Sequence, residues 1–166
     1  MVESIYKKFF DSIIEAEKNW QAADHLIYVT MPFVGDQKLV IRALESLYKS
    51  FVLVISSILK LEYMHGKIEL SKMPDRNLEI FFSKCAGRYG LSEEQVERMR
   101  EVLFLGRKHK EAGIEFSKPN RIIMLDDNLK TSELSLPRMK EFLKVGRDFL
   151  HKTQERFKMI SENSKN

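Results

Sequence analysis

Arg147 and His151 stand four positions apart in the amphipathic segment that closes the chain, one turn apart if that segment is helical. An arginine beside a histidine suits metal-free cleavage of RNA. The adjacent 2′-hydroxyl attacks phosphorus, the histidine takes its proton or protonates the leaving oxygen, and the arginine steadies charge on the phosphorane. At about 100° per residue, Lys140, Lys144, Arg147, His151 and Lys158 fall in one stripe beside the apolar face. Glu141, Asp148 and Glu155 lie beyond it. Such a row can follow a phosphate backbone, which makes Lys140, Lys144, Arg147 and Lys158 candidate nucleic-acid contacts. It can equally solvate a helix flank, its stems covering apolar surface. Arg107 is a second candidate arginine, whose ordinary role would be to pair with a carboxylate or cap the end of its own helix.

Other chemistry is thinly represented. His25, His65, His109 and His151 show no metal-ligand spacing, so no metal and no cofactor are expected. No glycine-rich phosphate loop and no nucleophile elbow occurs. Cys85, the single cysteine, lies on an apolar helix face and reads as a small hydrophobe rather than a nucleophile. Asp126-Asp127-Asn128 lacks the glycine and the closing glutamate of a calcium loop and reads as a turn.

Arg147 followed by polar Asp148, with His151 after it, resembles the signature of the HEPN domains. These are small all-α bundles, many dimeric and many RNA-cleaving. Their motif has four to six residues between arginine and histidine, whereas three separate Arg147 from His151. The resemblance in helix order covers most of residues 1–160. It implies a metal-independent endoribonuclease with Arg147 and His151 as its catalytic pair. The phrase Ala23-Asp-His-Leu-Ile-Tyr-Val-Thr-Met-Pro32 and Glu115-Phe-Ser-Lys118 are also similar to a family of small archaeal helical proteins to which no activity attaches.

The elements that must position these residues follow from periodicity. Of the 166 residues 43% are hydrophobic, enough for a core without disulfide or metal staples, and sparse Gly and Pro favour a few long helices. A single cysteine and an N-terminus without signal-peptide character read as cytoplasmic, and no run is long enough to span a membrane. Residues 1–70 hold 8 bases and 9 acids, residues 71–166 hold 20 and 15, so the C-terminal part is weakly basic. Val2, Ile5, Phe9, Ile13, Ala16 and Trp20 mark a first helix reaching toward Met31, where Pro32 is expected to end it. A second helix runs from Asp36 to about Met64, and Phe51–Leu59 within it is apolar nearly all round. Such a run is either the central rod of a bundle or partly covered by a second subunit, and cover by a second copy predicts a homodimer. A third helix spans Pro74–Tyr89, and Ser92 with Gln95 forms a capping box for a fourth. Residues 115–132 lack helical period and read as an extended excursion or short hairpin. The last helix starts near Ser135, and the polar 161–166 tail is expected to fray.

The expected fold is therefore all-α, an antiparallel bundle of four to five helices over residues 1–160 with a short extended insertion before the last. The expected function is a non-catalytic interaction module, homodimeric and associated with nucleic acid through weak binding, its protein partner left open. The alternative is the HEPN-like endoribonuclease.

Overall fold

The computed structural model describes residues 2–166, with side chains from Ser4 onward. The side chain of Val2, placed on the first core face by the sequence pattern, lies outside the described residues.

Helix α1 (Val2–His25) buries Phe9, Ile13, Ala16 and Ala23 at helical spacing. Pro32 does not end the helical path. A π turn (Leu26–Thr30) leads directly into α2 (Met31–Val34), which carries Pro32 in its first turn. Proline lacks an N–H and its ring crowds the carbonyl one turn back. The wider π turn immediately upstream takes up that mismatch. The path closes instead at Gly35, whose φ of +68° is cheap only for glycine.

Helix α3 (Lys38–Met64) begins where the Asp36 carboxylate accepts the Lys38 N–H at 2.9 Å. It is the central rod, packed on α1 and on two later helices, and Leu44, Leu47, Phe51, Val54, Ile58 and Leu61 are all fully buried. The chain's own helices thus cover most of Phe51–Leu59, leaving Val52 as its one exposed residue. The run gives no reason for a second copy.

Helix α4 (Pro74–Ile80) continues through a π turn (Phe81–Cys85) and a 3-10 turn (Ala86–Tyr89) to Gly90. The extra residue in the π turn brings both Phe81 and Phe82 inward, where a regular helix would turn only one toward the core. The capping box forms as expected. Ser92 Oγ accepts the Gln95 N–H at 3.1 Å, and Gln95 Oε1 accepts the Ser92 N–H at 3.0 Å, opening α5 (Glu93–Glu111).

The insertion is larger than a hairpin, and the all-α expectation is corrected: the chain is mostly helical but carries a three-stranded antiparallel sheet. Strands β1 (Ile114–Lys118), β2 (Arg121–Leu125) and β3 (Thr131–Ser135) form a meander, with Phe116 opposite Ile123 and Ile122 opposite Leu134. The run Ile122-Ile-Met-Leu125 hides strand alternation because both faces are covered. Ile122 and Met124 join the core, while Ile123 is buried between its cross-strand neighbours Phe116 and Glu133. The Asp126-Asp127-Asn128 turn links β2 to β3, and the Asp126 carboxylate accepts the Asn128 and Lys130 N–H groups at 2.9 and 3.0 Å.

Ser135 caps α6 (Leu136–Asn163) by accepting the Arg138 N–H at 3.2 Å. The helix runs three residues into the segment read as tail. It buries Met139, Phe142, Leu143, Gly146, Leu150, Thr153 and Phe157, and also Phe149, whose ring meets Phe51 and Phe81. A Cβ at Gly146 would lie 3.0 Å from Leu47, Phe51 and Trp20, so the glycine lets α6 sit close against α3 and α1. Among the described residues, no helix is long and apolar enough to cross a membrane.

Candidate nucleic-acid interface

Lys140, Lys144, Arg147, His151 and Lys158 are all exposed along one edge of α6. The reason is local. The core claims Met139, Phe142, Leu143, Gly146, Leu150 and Phe157, and the stripe beside that face emerges at the seam with α1. Within the described residues, Lys140, Lys144, Arg147 and Lys158 enter no ion pair. Other basic side chains of the same helix are engaged. Arg138 pairs with Glu101 and Glu141, and Lys152 bridges Asp148 at 2.9 Å and the Gly90 carbonyl at 2.7 Å. Lys140 Nζ stands 5.3 Å from the ring centre of Tyr28, a cation–π contact with the π turn after α1.

Arg147 and His151 line one hollow of about 430 Å³ with Glu17, Trp20, Asp24 and Gln154. A second hollow of about 520 Å³ adjoins it and shares Trp20, Asp24 and Arg147 while adding Lys140 and Lys144. The structure therefore brings together four of the five residues of the stripe; Lys158 lies farther along α6 and lines neither hollow. Trp20 was legible only as a core position. It is half-buried, its Nε1–H donates to the Leu143 carbonyl at 2.9 Å, and it lines both hollows. Tryptophan's apolar body and single donor suit such a boundary position.

Acids share this surface. Glu17 and Asp24 face the hollows from α1, and Glu17 accepts a hydrogen bond from Gln154 at 3.2 Å. His151 Nε2 lies 3.3 Å from Glu155. A phosphate entering here meets Arg147 donors and two carboxylates at once. Arg147 and His151 also approach from one side of the hollow, whereas in-line displacement at phosphorus needs its acid and base on opposite sides. Asp148, which follows Arg147, turns away to Gln95 and Lys152. Burial would raise its carboxyl, but the hydrogen bonds from Lys152 and Gln95 outweigh that and hold it below the usual range.

The remaining candidates have other occupations. Arg107 pairs with Asp75 of α4 at 2.8 Å. Cys85 is fully buried, and burial followed by the nearby Glu62 charge pushes its thiol up to about 11. His109 sits between Glu45 and Glu115, 2.5 Å from each. Burial alone would lower its pKa, yet the two carboxylates prevail and raise it. Among the described residues no group of three or more His, Cys, Asp or Glu is arranged to hold a metal ion. Comparison with known proteins finds no matching family model, no matching curated protein and no matching solved structure.

Proposed function

We propose that this chain is a non-catalytic helical interaction module that docks polyanions, nucleic acid foremost, along the outer edge of α6. One observation carries the reading: the exposed Lys140, Lys144, Arg147 and Lys158 lack carboxylate partners, while the arginines of α5 are each tied to an acid. An unpaired cation can exchange its counterions for phosphate, whereas a paired one is already partly neutralised. From Lys140 to Lys158 the row extends about 27 Å along the helix axis, long enough to meet several phosphates. Glu17, Asp24 and Glu155 weaken the local field, so binding is sequence-tolerant and weak, in the roughly micromolar or weaker range of non-specific complexes.

The test is fluorescence anisotropy with a labelled single strand and a labelled duplex. Replacing Lys140, Lys144 and Arg147 together by Gln removes most of the binding and leaves thermal unfolding within about 0.5 kcal/mol, because all three side chains are exposed. Unaltered binding in that variant would reduce the stripe to a solvated flank. The HEPN-like endoribonuclease is the second reading, favoured by the one hollow that Arg147 and His151 share. Incubation with end-labelled RNA in EDTA decides it. Cleavage by the parent that His151→Ala abolishes would promote the enzyme, and equal background from both leaves the module.

A further inference from the structure

A different hollow, of about 470 Å³, opens between α3, α4 and α5 and shares no lining residue with the two beside α6. We propose that it binds a single-tailed aliphatic carboxylate, with the chain over Val52, Ile55 and Leu103 and the head on Arg107. Its volume is that of a small-molecule site, and its walls are mainly apolar with a few polar groups, as such sites require. Two of the apolar side chains on it stand open to solvent: Phe104 is 53% and Val52 39% exposed. An apolar tail would cover both and recover the free energy of removing them from water.

Shape selects a tail over a folded segment. The α4 and α5 walls are joined by two ion pairs, Asp75–Arg107 and Glu79–Arg100. The members of those pairs are four residues apart on α4 and seven on α5, rises of about 6 and 10 Å. A helix with its side chains, about 10–12 Å wide, would have to break at least one pair to enter between them. An alkyl chain, about 4 Å across by carbon–carbon contact distance, would not.

Charge selects the head. Arg100 is committed: both its terminal nitrogens donate to Glu79, at 2.7 and 3.2 Å, and its guanidinium lies 4.2 Å from the Phe82 ring centre. Arg107 donates to Asp75 through one terminal nitrogen, and its guanidinium has further donors in a fork that matches a carboxylate. It is half exposed, at 52%, and lines a hollow whose walls are mainly apolar. An apolar body next to an unsaturated arginine is the recognition pattern for an amphipathic monocarboxylate. Tyr48 fixes the remaining edge, its ring pressed against α5 where Gly106 has no Cβ to obstruct it.

Methyl NMR on the full chain tests this with decanoate, decanol as the uncharged tail and butyrate as the head with almost no tail. The proposal expects saturable shifts at Val52, Ile55 and Leu103 with decanoate, weaker ones with decanol and none with butyrate. Arg107→Gln should weaken decanoate about tenfold, down to the decanol level, while decanol changes by less than about twofold. Val52→Trp, at a position already open to solvent, should abolish both by filling the hollow. Three results would each overturn the proposal: no saturable change below micelle formation, shifts spread equally over Ile14, Val29 and Leu129, or an Arg107→Gln protein that holds decanoate as the parent does.

Discussion

The edge of α6 and the hollow beside α5 use the same residue types to opposite ends. On that edge of α6, Lys140, Lys144, Arg147 and Lys158 stand outside any ion pair on a mixed-charge surface, beside hollows lined by Trp20. On α5, Arg100 and Arg107 are tied to α4 by ion pairs, and Val52 and Phe104 beside them stand open to solvent. On the proposed reading the first arrangement offers long-range attraction with little geometry, which would give weak and salt-sensitive contact. The second offers little net charge but a mainly apolar cavity, so the selectivity proposed for it rests on size and on one arginine fork. Counting basic residues does not separate the two. Their partners do.

The largest effect that separates the two regions is expected from Gly106→Ala. The added Cβ would fall 2.3 Å from Tyr48 Cδ2 and 2.7 Å from its Cγ, so the whole ring must move. Overpacking of this kind costs about 1–3 kcal/mol, more than the helix gains from alanine. Chemical denaturation should show that loss, decanoate binding should fall with the displaced Tyr48, and nucleic-acid binding should be unchanged. Loss of both activities in a folded variant would mean that the regions are one site.

A smaller effect tests how the sheet is anchored beside α5. His109 has a raised pKa in the folded chain, so its stabilising contribution is fully present below the ordinary value of 6.5. That contribution disappears as pH rises through the folded pKa. His109→Gln should therefore lose more stability near pH 5.5 than near pH 9, by about 1 kcal/mol or less after solvent screening. A deficit independent of pH would show that the Glu45–His109–Glu115 bridge is not ionic.

Asp75→Asn should move stability least. The Asp75–Arg107 pair is exposed, with the aspartate 74% accessible, and pairs of that kind contribute about 0–1 kcal/mol. Freeing Arg107 should tighten decanoate a few-fold even so. Unchanged or weaker decanoate binding would place the head elsewhere.

The sequence carried the helices well where one face is apolar and the ends are punctuated. The third helical segment ends after Tyr89 at Gly90, with positive φ, and Ser92 with Gln95 caps α5, both where short-range signals place them. It carried the sheet poorly, because three adjacent residues, Ile122, Ile123 and Met124, are buried and erase the period of two. The π turns before Pro32 and at Phe81–Cys85 were invisible for a related reason: one extra residue per turn leaves no mark in composition. The stripe on α6 was legible from spacing alone, since its residues share one helix. The acids opposite it were not, because Glu17 and Asp24 reach the seam from α1, more than 100 positions away. The α4–α5 hollow depends on three separate segments and on which carboxylates meet Arg100 and Arg107, information that exists only in tertiary packing.

The central claim, that polyanions dock through the unpaired cations of α6, is tested most directly by the salt dependence of duplex DNA binding. Each neutralised phosphate contact contributes a slope of about −0.9 to log K against log salt. The parent should show a steep linear decline, and the variant with Lys140, Lys144 and Arg147 replaced by Gln should be shallower by up to about 2.7. Parallel lines for the two proteins would contradict the account.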